Sequence, residues 1–255
     1  MKLSYADIEH HAEVALNGFM GALTNHQKWI KPIPIEYFTT RFLGLRLEYI
    51  RLSDDGNTLG MTTYSDTRIK LRRYLRSEII NVPKNTVLID ERLMEPQQLF
   101  EPDKEIGHRR FTIAHECAHQ MLYRMESKNR RGEMDCRYST RTYSLRELKS
   151  LDDWCEWQAN VLAAALIIPK KYVDLLLGNR RLTLYGKRLN RPDRLLLCNI
   201  CNKLKVSHTA MSLRLQQLGY MSILPLDAFY DPTDVECDND YFCISTPKIG
   251  GGGYA

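Results

Sequence analysis

Residues 111–124 read FTIAHECAHQMLYR, with two histidines four apart and a glutamate directly after the first. On a helix, positions four apart lie about 40° apart around the axis and one turn apart along it. His115 and His119 would therefore present two imidazoles to one point, which suits a tetrahedral zinc ion. Glu116 stands roughly 100° further round. That is poor placement for a close ligand and good placement for reaching water that the metal binds. The chemistry implied is hydrolysis. Zinc lowers the pKa of its water to roughly 7, and Glu116 would take the proton as the water attacks a peptide carbonyl, then deliver it to the leaving amine. At these His and Glu frequencies the pattern arises by chance in roughly one such chain in a hundred. Here it also falls on a helical pattern that follows a strand-rich region.

A catalytic site of this kind, with one zinc per chain, needs a third protein ligand and an open fourth position. The strong helical pattern from Leu151 to Ile168, LDDWCEWQANVLAAALII, offers Asp152, Asp153, Cys155 and Glu156. Glu156 is the best of these. The rest of its helix (Val161, Leu162, Ala165, Ile168) is apolar and small enough to pack closely on the first. Asn160 lies one turn on, on the same face, where it would hydrogen-bond the free nitrogen of a ligand histidine and fix its orientation.

The elements that must position these residues can be read in turn. Ser4 and Asp7 form a capping box for a helix over residues 4–23, with Ile8, Ala12, Ala15, Phe19 and Leu23 at helical spacing. A short helix over 35–43 ends at Gly44. Strand patterns follow over 45–49, 58–64, 68–74 and 85–90, the last being NTVLID, with a turn at Asp54–Asn57. The 110–123 helix comes next, then a polar, arginine-rich loop over 127–142. Pro169 ends the second site helix. Two more helical patterns, 195–204 and 209–218, are joined by Lys205-Val206-Ser207-His208. The fold class is α+β. The expected organisation is a core over residues 1–170, a helical region over 171–222, and an acidic, glycine-rich tail over 223–255, expected to be poorly ordered from Asp231.

The composition agrees with a globular chain. It is 44% hydrophobic and 26% charged, ordinary values for such a protein, and 255 residues can bury a core without staples. The net charge of +5 neither demands nor excludes a nucleic-acid partner. No secretory pattern opens the sequence, and the longest apolar run, 161–168, is far too short to span a bilayer. The seven cysteines are odd in number and scattered, so free thiols in a reducing compartment are expected. The expectation is a cytoplasmic protein with no membrane partner.

Taken together, FTIAHECAH and, about forty residues later, EWQANVLAAALIIP resemble the ImmA/IrrE family of zinc metallo-endopeptidases, which carry an H-E-x-x-H helix and a later E-x-x-A-N helix. The matching positions are His115, Glu116, His119, Glu156, Ala159, Asn160 and Pro169. NTVLID and VSHTAMSLRLQQLGY also resemble family features, and the likeness runs from about Val82 to Tyr220. Ala118 departs from it, since the family often has glycine there. The resemblance implies a zincin-like peptidase core followed by a helix-turn-helix-like region. It also implies a protein substrate, a helix-turn-helix transcriptional repressor of a mobile element or stress-response locus, whose cleavage relieves repression. The alternatives are a DNA-binding or scaffold regulator with structural zinc, or a peptidase acting on other peptides or an antitoxin.

Residues 179–194, NRRLTLYGKRLNRPDR, hold six basic residues against Asp193. In a DNA reader, Ser207, Thr209 and Arg214 would approach bases while the arginines met phosphates. Packing or substrate docking is favoured, because base readout needs an exposed polar face and Met211, Leu213, Leu215 and Leu218 suggest burial. Cys198 and Cys201 lie in an apolar helix with no second pair at zinc-finger spacing, and read as buried thiols. Cys117 should pack in the core. His108, Tyr138 and Tyr143 are candidates for stabilising the oxyanion.

Overall fold

Ser4 and Asp7 start the first helix by reciprocal capping. The Ser4 backbone N–H donates to Asp7 Oδ2 at 2.9 Å, and the Asp7 N–H donates to Ser4 Oγ at 3.2 Å. Helix α1 (Tyr5–Ala22) then buries Ile8, Ala12, Leu16 and Phe19. Leu16 takes the inward place expected of Ala15, a shift of one position on the same stripe. The computed structural model describes residues 2–22, 30–53, 56–73, 76–94, 102–126, 151–228, 236–238 and 243–245. The chain divides into two compact units, Met1–Pro169 and Lys170–Ala255.

In the first unit, α2 (Ile35–Tyr37) continues as a π-helical turn over Phe38–Phe42. It ends at Gly44, whose φ of 65° is left-handed, a conformation that favours glycine. Five strands follow: β1 (Arg46–Ile50), β2 (Gly60–Thr63), β3 (Thr67–Arg73), β4 (Arg76–Val82) and β5 (Thr86–Asp90). The main sheet has the order β1–β5–β2, with β1 parallel and β2 antiparallel to β5. Strand β5 is central and wholly buried. Its Leu88 packs with Leu52 and with Leu71 and Val82 of the β3–β4 hairpin. Helix α3 (Pro102–Met125) packs against β2 and β5.

The helix bearing the histidines therefore begins at Pro102, well before the expected Arg110, and places His108 on the helix rather than in a loop. Strand β4 was not expected. Ile79 on it is 65% exposed, so no clean apolar alternation marks the strand, and its register comes from pairing with β3.

Helix α4 (Leu151–Ile167) packs against both α3 and α1. Both helices bury small residues, among them Ala114, Ala118, Ala159 and Ala163, which suits close packing. Alanine at 118 fits this fully buried position. The chain start is tied to α4 by a hydrogen bond from the Leu3 N–H to Gln158 Oε1 at 2.7 Å, and by an edge contact of Tyr5 on Trp157.

In the second unit, α5 (Lys170–Leu177) follows Pro169. Strands β6 (Leu182–Tyr185) and β7 (Met221–Leu224) pair in parallel, as the long connection between them allows. That connection holds α6 (Arg191–Leu204) and α7 (His208–Gln217). Helix α6 starts earlier than expected because Asn190 caps it, its side chain accepting from the Asp193 N–H at 2.8 Å, with Pro192 in the first turn. Lys205 closes α6 in a left-handed conformation, and Ser207 caps α7 by accepting from the Ala210 N–H. Strands β8 (Glu236–Asp238) and β9 (Cys243–Ser245) pair antiparallel. The end of β7 and the whole of β8 and β9 thus lie in the segment expected to be tail. The glycines at 250–253, the loop over 127–142, Tyr138 and Tyr143 lie outside the described residues. The chain is α+β, and among the described residues no helix is long and apolar enough to cross a membrane.

Candidate metal centre

Helix α3 passes through the interior over Thr112–Gln120, every residue of which is buried. His115, Glu116 and His119 are fully inaccessible. Such a run of polar groups is costly to bury unless each group finds a partner or a metal. Apolar residues on the same helix (Ile113, Ala114, Cys117, Ala118) hold it in place.

His115, His119 and Glu156 converge, with ligand atoms lying within 4.8 Å of one another. The two Nε2 atoms are 2.9 Å apart, with the rings edge to face at 84°. His115 Nε2 is 3.4 Å from Glu156 Oε2, and His119 Nε2 is 3.5 Å from Glu156 Oε1. For ligand bonds of 2.0–2.1 Å, the edge of a tetrahedron is about 3.3 Å. Each histidine–glutamate separation is close to this value, but each is to a different oxygen of the Glu156 carboxylate. The histidine pair is a few tenths shorter and corresponds to an angle of about 90° at the ion.

The chemistry of the donor set points the same way. Burial, and then the neighbouring His115, hold the pKa of His119 well below its usual value, so its imidazole is neutral and its lone pair is available. Two nitrogen lone pairs at 2.9 Å repel, so the pair needs a shared proton or a cation between them. A carboxylate facing the same point favours the cation. These residues could hold a metal ion.

Glu116 turns to a different neighbour. It shares a face of α3 with Thr112 and Gln120, at four-residue spacing, and this face meets β2. Gln120 Nε2 donates to Thr62 Oγ1 at 2.6 Å and to the Thr63 carbonyl at 3.0 Å, fastening the strand to the helix. Leu59 and Thr63 direct their carbonyls to the N–H groups of Asp90 and Asn85. By strand alternation, Gly60 and Thr62 direct their backbone groups away from β5.

The other expected residues fall as follows. Asn160 is half-buried, one turn beyond Glu156. His119 Nδ1, the ring nitrogen opposite the one near Glu156, faces Cys155 Sγ at 3.8 Å. Cys117 lies away from the ligands, its Sγ 3.0 Å from Thr39 Oγ1. Burial pushes its thiol pKa up to about 12. His108 is exposed. Gln120 was missed, although its spacing of four from Glu116 was readable.

The region over α6 and α7 differs from a DNA-reading surface. Arg214 is buried at 1% exposure, and the Ser207 hydroxyl is engaged as a cap. Arg180 is paired with Asp193 at 2.6 Å, and Arg181 lies over the Tyr220 ring. Met211 and Leu215 are buried as expected, whereas Leu213 is 39% exposed. Cys201 is buried and Cys198 half-buried, both as free thiols.

Fold and site together define an α+β protein with a buried cluster of two histidines and one glutamate suited to a metal ion. Compared with known proteins, the chain matches no family model and no curated relative.

Proposed function

We propose that the chain is a zinc-dependent endopeptidase, in which His115, His119 and Glu156 hold the ion and Glu116 is the general base. The reading is carried by the convergence of three ligand side chains, with one ligand atom from each within 4.8 Å of the others, beside a buried glutamate on the histidine helix. When bound, zinc would supply a Lewis acid and make water nucleophilic near neutral pH. Glu116 takes a proton from the attacking water and returns it to the leaving amine. Asn160 steadies a ligand imidazole. A scaffold with purely structural zinc would gain nothing from burying Glu116 beside the ligands.

The substrate class rests on the ImmA/IrrE resemblance, which makes it a helix-turn-helix transcriptional repressor whose cleavage relieves repression. The zincin-like core and helix-turn-helix-like region are part of the same reading. Burial of Arg214 and engagement of Ser207 support a packing or docking role for α6 and α7 over DNA binding.

Elemental analysis tests the metal. Wild type should carry one zinc per chain, Glu156→Gln should lose it, and Glu116→Gln should keep it. Mapping new protein N-termini in cells expressing wild type or Glu116→Gln tests the reaction. A repressor cut only by wild type is expected. Zinc retained in full by Glu156→Gln would refute the ligand set.

A further inference from the structure

Gly60 opens β2, an edge strand of the main sheet. Glycine weakens a strand interior because it brings backbone entropy and no side chain to pack. Two causes can retain it. One is a left-handed backbone, but Gly60 is not among the residues of positive φ. The other is close approach. A Cβ placed on Gly60 would lie 2.6 Å from Glu116 Oε1, 2.8 Å from Thr112 Cγ2 and 3.0 Å from Glu116 Cγ. Separations below 3.0 Å are essentially never adopted by real Cβ atoms. The strand thus rests directly on the glutamate, and only hydrogen fits between them.

The approach is held from the other end. Gln120, one turn beyond Glu116, binds Thr62 and Thr63 on the same strand. The Asp90 N–H holds the Leu59 carbonyl just before Gly60 at 2.8 Å. The strand is therefore pinned on both sides of the contact and cannot lift freely. The helix is equally fixed, being buried throughout this stretch. A side chain at position 60 would have to displace the Glu116 carboxylate.

We infer that Gly60 is a positioning residue for Glu116: the bare backbone of β2 sets where the carboxylate lies relative to the metal ligands. The packing claim stands on geometry alone, while its catalytic meaning rests on the proposed zinc-peptidase reading. A misplacement of about 1 Å at a reacting group can cost on the order of 100-fold in rate, so Gly60→Ala should act strongly without removing any ligand.

The test is a pair of readouts on the full chain. The first is thermal melting of Gly60→Ala alone, with Glu116→Ala, and with Thr112→Ser. Gly60→Ala should lower Tm by about 5 °C. Glu116→Ala should recover most of that loss, and Thr112→Ser less. Recovery by Thr112→Ser alone, or no loss at all, would overturn the inference, and neither result depends on metal. The second is the visible spectrum of the Co2+-loaded protein against pH. Gly60→Ala should keep one Co2+ per chain but shift the pH midpoint of its spectrum. Glu116→Asp, shorter by one methylene, should move that midpoint back toward wild type in the double variant. A midpoint unchanged by Gly60→Ala would reduce the glycine to a structural role and overturn the positioning claim. Failure of wild type to bind Co2+ or Zn2+ would defeat the peptidase reading and leave the melting result to stand by itself.

Discussion

Glu156 in the first unit and Asp193 in the second are both carboxylates nearly out of water, at 9% and 5% exposure, yet their surroundings are opposite. Asp193 is met by donors. Arg180 reaches it at 2.6 Å, and Asn190 Nδ2 donates at 3.1 Å. Glu156 meets two imidazole nitrogens at 3.4 and 3.5 Å, one of them held neutral by burial. A carboxylate satisfied by donors locks a fold. A carboxylate facing two imidazole nitrogens at ligand spacing suits a cation, which all three groups can bind at once.

The strongest way to break this comparison is to remove one charge from each. Glu156→Gln should weaken zinc binding by about 100-fold or more, whereas Asp193→Asn should bind one zinc as wild type does. Zinc at a thousandfold excess over the wild-type Kd should stabilise wild type and Asp193→Asn by about 4 kcal/mol, and Glu156→Gln by about 1.4 kcal/mol or less. Calorimetric melting with zinc and with chelator measures this. Equal zinc responses from the two variants would dissolve the distinction.

A smaller effect sharpens the other side. Asp193→Asn should cost about 1–3 kcal/mol, because Arg180 and Asn190 lose a charged acceptor and the cap of α6 is disturbed. The loss should be the same with zinc or chelator. A loss that vanished in zinc would tie Asp193 to the metal centre.

Asp90 is a third buried carboxylate and belongs with Asp193. Burial would raise its pKa, but hydrogen bonds from the Arg92 side chain and from the Leu52 and Arg92 N–H groups outweigh burial and lower it. A depressed folded value favours the ionised form in the folded state. Its contribution is complete above the unfolded value of about 3.9 and is lost as pH falls through the folded value. Wild type should therefore exceed Asp90→Asn in denaturant midpoint at pH 7, and the gap should close below about pH 4. A gap that did not narrow as pH fell below about 4 would assign the effect to shape rather than charge.

The legible features were those encoded within one element. Ser4 and Asp7 lie three apart and form their box, and Leu45, Leu47 and Tyr49 alternate in burial with their polar neighbours as expected; the turn expected at Asp54–Asn57 falls partly outside the described residues. His115 and His119 are one turn apart, so their convergence follows from helix geometry alone. Glu156 was reachable because its helix continues in small apolar residues that need a partner helix. The contacts of Gly60 with Glu116 and of Cys155 with His119 join residues tens of positions apart, and no local pattern encodes them. Strand β4 escaped because Ile79 faces outward, and α6 because its basic first turn reads as a loop until Asn190 is seen to cap it.

The smallest expected effect concerns α7 and decides whether the second unit is anything but a packed or docking module. Ser207 accepts from the Ala210 N–H, so Ser207→Ala should cost about 1 kcal/mol as a lost cap. In a base-reading helix the same residue would also carry sequence preference, and its loss would relax specificity at one base pair by about 1–3 kcal/mol. The cap already uses the hydroxyl, and Arg214 is buried, which leaves Thr209 and Gln217 as the exposed polar residues of α7. Two polar residues flanking the exposed Leu213 suit a protein surface better than a groove of base edges. Fluorescence anisotropy with duplex DNA across a salt series should show at most weak, sequence-independent binding, unchanged by Ser207→Ala. Sequence-specific binding that falls with this substitution would make α7 a reader and return the second unit to the DNA-binding class.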